Sequence, residues 1–398
     1  MMNDITLRVA RESKAMTRQD VIKKAVEGRI NWLQAADILQ LSPRQMRRVR
    51  ERYERFGIPG LRDGRLDWER PSRIAPPVVE EVCRLKREVY ADFSVRHFHE
   101  FLTGKHGLEL SYTWTKDILQ MRGLVERSPG RGKYRRKRDR RPMVGMLLHL
   151  DASTHGWIEG VADQDLVVML DDADGRVLFA RFVEQEGTLS TLMALKHVLV
   201  RFGRFSELYT DRGSHFCRTS NAGEAPDDEQ HGQVARVLSA LGIRHILARS
   251  PEARGRGERA FGTIQGRLPQ ELRLAGVQTY QAANAYLDST FVPDFNKRFT
   301  VKPLDAERAF TSLAGVDLEL LLTAQHPRIV RNDNTLVFSR LELQLPASKD
   351  RISFAKCPVL VHEFLDGTLG VSFHGKVLAR FDRAGLPLPR GRRVEKAA

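Results

Sequence analysis

The stretch Val144-Gly145-Met146-Leu147-Leu148-His149-Leu150-Asp151-Ala152-Ser153 decides how the rest of the chain is read. Val144 to Leu150 is almost wholly apolar, the pattern of a strand covered on both faces, and it predicts a strand ending at an acid, Asp151. A second apolar run ends the same way at Asp211, within Leu208-Tyr209-Thr210-Asp211-Arg212-Gly213-Ser214. The third acid, Glu258, lies in Ala253-Arg254-Gly255-Arg256-Gly257-Glu258-Arg259-Ala260-Phe261-Gly262. Phe261, Ile264 and Leu268 follow it at helical spacing, so a helix is expected to open there. Two strand ends and a helix start can bring three carboxylates to one place. Hard oxygen donors of this kind suit Mg²⁺, with Mn²⁺ as a substitute. Two ions so held activate an attacking oxygen and stabilise a leaving one in phosphoryl transfer.

Trp157 follows the first strand closely, and Thr263 extends the third motif. Together these surroundings resemble the catalytic core of DDE transposases and retroviral-type integrases, most closely the insertion-sequence transposases of the ISNCY group. The resemblance implies that Asp151, Asp211 and Glu258 are the catalytic and metal-holding residues of a ribonuclease H-like core. It also implies the activity: binding the terminal repeats of a mobile element, cleaving the phosphodiester at its 3′ ends, and transferring the 3′-OH ends to target DNA. Asp211 and Glu258 are 258 − 211 = 47 positions apart, longer than usual in retroviral integrases. A loop insertion across Arg218 to Gln230 accounts for the excess. Glu252, in Ser250-Pro251-Glu252, is the alternative third acid, because a cap followed by proline can start a helix. Gly255 and Gly257 each disfavour helix by roughly 1 kcal/mol relative to Ala, which places the start near Gly257 and favours Glu258.

A chain of 398 residues exceeds the size at which one core keeps growing, so two to four domains are expected. The formal charge of +15 calls for a polyanionic partner, here double-stranded DNA as element ends and target. Cys83, Cys217 and Cys357 are odd in number and far apart, which supports neither a disulfide framework nor a cysteine zinc site. No run approaches a membrane span or an apolar signal core. The protein is therefore read as cytoplasmic and nucleoid-associated, with no membrane partner, and as a homo-oligomer, at least a dimer, on DNA.

The fold class expected is multidomain, with all-α helix-turn-helix units, then an α/β ribonuclease H-like core, then a small β-barrel. Residues 1–60 hold a helix-turn-helix. Thr17 and Asp20 read as a capping pair, and Ser42-Pro43 with Gln45 is a strong start signal. The helix it opens is expected to bury Met46, Val49, Tyr53 and Phe56 and to offer Arg44, Arg47 and Arg48 to DNA. Residues 61–126 form a second helical DNA-binding unit with starts at Pro76, Ser94 and Ser111; His97 and His99 read as surface histidines rather than zinc ligands. Residues 127–142 are a basic linker in which Arg135, Arg136 and Arg138 meet phosphates without reading sequence. The core, 143–300, adds Arg254 and Arg256 as DNA contacts beside Glu258. Asp171, Asp172 and Asp174 are explained by turn chemistry. A connector, 301–325, leads to the barrel, 326–385, and a tail, 386–398. Two rivals remain: a regulator that binds DNA without turnover, which intact carboxylates disfavour, and a ribonuclease H-type nuclease that cuts without joining.

Overall fold

The structure, a computed structural model, describes residues 16–61, 74–127, 139–213, 216–218, 227–248, 255–313, 315–347 and 351–389, with backbone alone at 217–218 and 227–231. The chain forms two compact units, Met1–Leu85 and Lys86–Ala398.

In the first unit, helix α1 (residues 16–26), α2 (Trp32–Ile38) and α3 (Pro43–Phe56) close around Ile22, Ala35, Ala36, Met46 and Leu61. The start of α3 is as expected. Ser42 Oγ accepts from Gln45 N at 3.3 Å, and Gln45 Oε1 accepts from Ser42 N at 2.9 Å, so two orphan donors of the first turn are satisfied reciprocally. Asn31 and Gln34 do the same for α2. Two expectations fail. The chain is already helical at Met16, so Thr17 lies inside α1 instead of capping it; Met is a good helix former and carries the helix past it. Phe56 is 57% exposed, because α3 ends at Gly57 and its last turn reaches beyond the small core. Helix α4 (Pro76–Glu88) leads out of this unit.

The second unit opens with α5 (Val95–His106) and α6 (Tyr112–Met121), capped by Ser94 and Ser111 as their sequences predict. Its central sheet contains β1 (Leu147–His155), β2 (Gln164–Asp171), β3 (Val177–Val183), β4 (Glu207–Thr210) and, after a short pair β5 (Cys217–Arg218) and β6 (Asp227–His231), β7 (Arg244–Leu247). The order is β3-β2-β1-β4-β7. β1, β2 and β3 are antiparallel hairpin neighbours, whereas β1, β4 and β7 run parallel, joined through α7 (Thr188–Phe202) and α8 (Gln233–Ala240). Three hairpin strands followed by alternating helix and strand is the arrangement expected of the core. The interval after Asp211 contains the paired β5 and β6, so its extra length is at least partly a hairpin.

Both faces of this sheet are covered. Leu148, Leu150, Val167 and Met169 pack with Leu195, Val198 and Val237 under α7 and α8. Leu166, Val168 and Phe182 pack with Phe261, Ile264, Leu272 and Phe295, supplied by α9 (Gly255–Gln265), α10 (Leu268–Leu274) and α12 (Val292–Phe299), with α11 (Tyr280–Tyr286) between. Helix α5 docks on this second layer. His97 is fully buried, stacked on Phe93 at 4.0 Å and 2.9 Å from Glu271. Glu100 takes Arg267 at 2.7 Å and Arg298 at 2.9 Å. His97 is therefore not a surface histidine. Sequence periodicity within one helix cannot show a partner 174 positions away.

The connector is not a spacer. Phe310, Leu313, Leu318 and Leu321 pack into the first core layer, and Arg204 pairs with Thr311. The backbone passes so close there that a Cβ on Gly203, at φ +103°, would stand 2.5 Å from the Thr311 carbonyl oxygen. After α13 (Leu318–Leu321), strands β8 (Ala324–Ile329), β11 (Pro358–Glu363), β12 (Leu369–Phe373), β13 (Lys376–Phe381) and β14 (Pro387–Leu388) form a sheet of order β14-β13-β12-β11-β8. Among the described residues, β9 (Thr335–Phe338) and β10 (Leu341–Gln344) form a two-stranded sheet of their own. Among the described residues these strands form an open sheet and a hairpin that do not close into the expected barrel. Alternation predicts strands, but closure depends on which edges pair, and Leu336, Phe338 and Leu343 fill the space against Val361, Val371 and Phe381 without it. Among the described residues no helix is long and apolar enough to cross a membrane.

Candidate active site

Successive side chains of a strand point to opposite faces, and β1 uses this to separate core from chemistry. Leu148, Leu150 and Ala152 enter the layer under α7 and α8. His149, Asp151 and Ser153 share the other face, where α9 lies. Its contacts run down that face in step: Arg256 reaches Asp172, which also holds His149; Gly257 abuts Asp151; and Gln265 Nε2 donates to Ser153 Oγ at 2.8 Å. A Cβ built on Gly257 would stand 3.3 Å from Asp151 Oδ2. The absence of a side chain is what admits the first turn of α9 so close to that carboxylate.

Asp151 does not end its strand as predicted. β1 continues to His155, pairing with β2 from Asp151–Val168 to His155–Gln164, so the acid is mid-strand. The polar residues after it remain in the sheet because β2 supplies their backbone partners, a non-local reason that apolar run length does not register. Asp211 does follow the last residue of β4. β1 and β4 pair in parallel from Leu147–Glu207 to His149–Tyr209. Asp151 and Asp211 each stand two residues beyond the last of these pairs, Asp151 within β1 and Asp211 just after β4. Asp151 Oδ1 accepts from Ala152 N at 3.0 Å and Asp211 Oδ1 from Gly213 N at 2.9 Å. Below Asp211, the Thr210 hydroxyl donates to the Asp211 carbonyl at 2.9 Å and accepts from His245 Nε2 at 2.9 Å. Burial lowers the His245 pKa to about 4, which keeps that ring neutral.

Glu258 is exposed in the first turn of α9, where an acid is favoured by the helix dipole. Three carboxylates thus come from two adjacent strands and a helix start laid across one of them. Their hard oxygen donors fit Mg²⁺ or Mn²⁺ in kind. Among the described residues, no three His, Cys, Asp or Glu side chains are grouped tightly enough to hold an ion.

The turn Asp171–Asp174 does more than reverse the chain. Asp171 Oδ2 accepts from Gly145 N at 2.7 Å and Oδ1 from Ala173 N at 2.8 Å, and burial raises its pKa to about 6. Asp172, fully buried, meets His149 Nε2 at 2.8 Å, Arg141 N at 2.8 Å and Arg256 Nε at 2.9 Å. Arg140 Nη1 donates to the carbonyls of Asp172 and Ala173. The turn therefore ties the end of the basic segment to the start of α9. Local turn chemistry could not show this, but one signal was available: His149, polar and in phase with Asp151 inside an apolar strand, needs a buried partner.

Of the residues expected to contact DNA, Arg44, Arg47 and Arg48 are exposed on α3. Arg256 turns inward to Asp172, its side chain only 11% exposed. Arg135, Arg136, Arg138 and Arg254 lie outside the described residues, as do Ser214 and the alternative acid Glu252.

No family model matches the chain. It is 30% identical over 374 residues to the "Putative transposase y4bF" of Sinorhizobium fredii, covering 93% of this chain and 81% of that protein. It is 25% identical over 402 residues to the "Transposase for insertion sequence IS1202" of Streptococcus pneumoniae, covering 90% and 84%. Among solved structures, the chain is similar to a simian T-cell lymphotropic virus intasome at TM-score 0.34 and 16% identity, over 67% of this chain and 92% of that one. It is also similar to the HTLV-2 integrase catalytic core domain in complex with magnesium at TM-score 0.28 and 18% identity, over 36% and 85%. Those superpositions are loose, and the assignment rests on the sequence identity, which extends across nearly the whole molecule. By that measure the chain belongs to the transposases.

Proposed function

We propose that this transposase binds the terminal repeats of its own element, hydrolyses the phosphodiester at each 3′ end and joins the freed 3′-OH to target DNA, with Asp151, Asp211 and Glu258 as the catalytic residues. The observation that supports the reading is that the first turn of α9, which carries Glu258, lies against Asp151 through Gly257, while Asp151 and Asp211 each follow the paired β1–β4 segment by two residues. Mg²⁺ or Mn²⁺ held by these carboxylates would lower the pKa of the attacking water and neutralise the leaving oxygen. The chain's own part is positional. In this reading β1 and the end of β4 supply two acids, α9 supplies the third, and the same three serve both steps, since each is attack by an oxygen on a phosphodiester. The exposed face of α3, with Arg44, Arg47 and Arg48, reads the repeat in the major groove. The basic segment with Arg135, Arg136 and Arg138 holds phosphates, and Arg254, four positions before the third acid in sequence, is a further DNA contact. An element has two ends, so at least two copies act together.

The test is a joining assay with a terminal-repeat duplex, a supercoiled target plasmid and Mg²⁺. The expected result is cleavage at the repeat's 3′ end and plasmid joined to it. Cleavage without joined product would make the protein a nuclease, and binding without cleavage would make it a regulator.

A further inference from the structure

Arg256 is two residues before Glu258, among basic residues that look made for DNA, yet its guanidinium is directed into the protein. Nε is 2.9 Å from Asp172 Oδ1, and Nη1 donates to the Asp172 carbonyl at 3.5 Å. Asp172 is in turn fixed from other elements: His149 of β1 at 2.8 Å and the Arg141 backbone at 2.8 Å, with its own N–H donating to the Leu147 carbonyl at 3.0 Å. We infer that Arg256 is a positioning residue: its ion pair with buried Asp172 pins the first turn of α9 to the sheet and so sets where Glu258 stands relative to Asp151. This rests on the reading of Glu258 as the third catalytic acid.

The geometry favours this role over phosphate binding. A buried carboxylate is costly to leave short of partners, and drawing Arg256 out to DNA would take its guanidinium away from Asp172. Gly257, the next residue, is the one whose Cβ would press on Asp151; a small rotation of the helix start about that point would swing Glu258 away. The fork also matters. Arginine reaches the carboxylate and the carbonyl of one residue together, which lysine, with a single ammonium, does not reproduce.

The experiment compares Arg256→Gln and Arg256→Lys with the wild-type chain, each first checked for folding by its thermal melt. It reads terminal-repeat affinity, the salt dependence of that affinity, Mn²⁺ affinity by calorimetry, and the single-turnover cleavage rate at saturating DNA and Mn²⁺. Expected are DNA affinity and salt slope unchanged, weakened Mn²⁺ binding, and a cleavage rate down on the order of 100-fold in Arg256→Gln, the scale of a misplacement of about 1 Å, with a smaller loss in Arg256→Lys. Should Arg256→Gln not fold, Arg256→Lys carries the test alone. A folded variant that cleaves at the wild-type rate, or one that loses affinity and about one unit of salt slope while keeping its saturated rate, overturns the inference and makes Arg256 a DNA contact. Glu258→Gln is run beside them: if it cleaves normally, the reading of Glu258 itself has failed, whatever Arg256 shows.

Discussion

Two glycines of α9 separate function from stability at the residue scale. Gly262 has open space around its would-be Cβ, whereas that of Gly257 would meet Asp151 Oδ2 at 3.3 Å. Gly262→Ala should raise stability by about 0.5–1 kcal/mol, since both residues adopt the helical conformation and alanine loses less entropy. Gly257→Ala gains the same helix propensity but pushes on a proposed catalytic carboxylate, so its cleavage rate should fall while terminal-repeat affinity holds. Thermal melts and single-turnover cleavage of the two variants check this; equal activity would mean that Asp151 is free to give way. Asp151, Asp211 and Glu258 could be singled out as candidates at this scale because each stands in a distinctive local context. The role of Arg256 was not. In sequence it is one of several arginines, and only the fold shows that Asp172 lies inside its reach.

Elements were readable in proportion to how local their causes are. The starts of α3, α5 and α6 follow from Ser42, Ser94 and Ser111, whose hydrogen bonds stay within a few residues. The length of β1, the docking of α5 and the open C-terminal sheet all depend on partners far along the chain, and those were misjudged or missed. In that sheet His362 of β11 is held between Thr323 Oγ1 at 3.0 Å and Ser372 Oγ at 2.7 Å. Burial, then the charges of Arg236 and Arg380, lowers its pKa from 6.5 to about 4. A histidine depressed in the folded state supports stability fully above about pH 6.5 and loses that support as pH falls toward 4, at most roughly 3 kcal/mol for a shift of this size. His362→Gln should therefore flatten the fall in melting temperature between pH 7 and pH 4.5, and an unchanged pH dependence would contradict the burial argument. The basic elements should divide their labour. Arg44→Ala and Arg47→Ala on α3 are expected to relax sequence preference. Neutralising Arg135, Arg136 and Arg138 should weaken all DNA alike and reduce the salt slope by roughly two to three units. Binding titrations on repeat and scrambled duplexes at several salt concentrations separate the two; the same loss of specificity from both sets would refute the division.

For the whole molecule, a charge of +15 surrounds a core whose proposed chemistry is acidic. The proposed function requires the protein to gather a polyanion and still present carboxylates to it: Asp151 stands on the face of β1 that α9 covers, Asp211 directly follows β4, and Glu258 lies in the first turn of α9. The broad order of helical units, α/β core and C-terminal strands was readable from changes in periodicity. The attachment of the connector and of α5 to the core was not, because both are made by packing and ion pairing between distant segments. The claim that these three acids form one site is tested most directly by single-turnover cleavage of a terminal-repeat duplex in Mn²⁺, comparing Asp151→Asn, Asp211→Asn, Glu258→Gln and Glu252→Gln with DNA binding measured in parallel. The first three should bind within a few-fold of the wild-type chain and cleave nothing, while Glu252→Gln keeps most of its activity. Turnover in any of the first three would contradict the site, and loss of activity in Glu252→Gln with Glu258→Gln active would make Glu252 its third carboxylate.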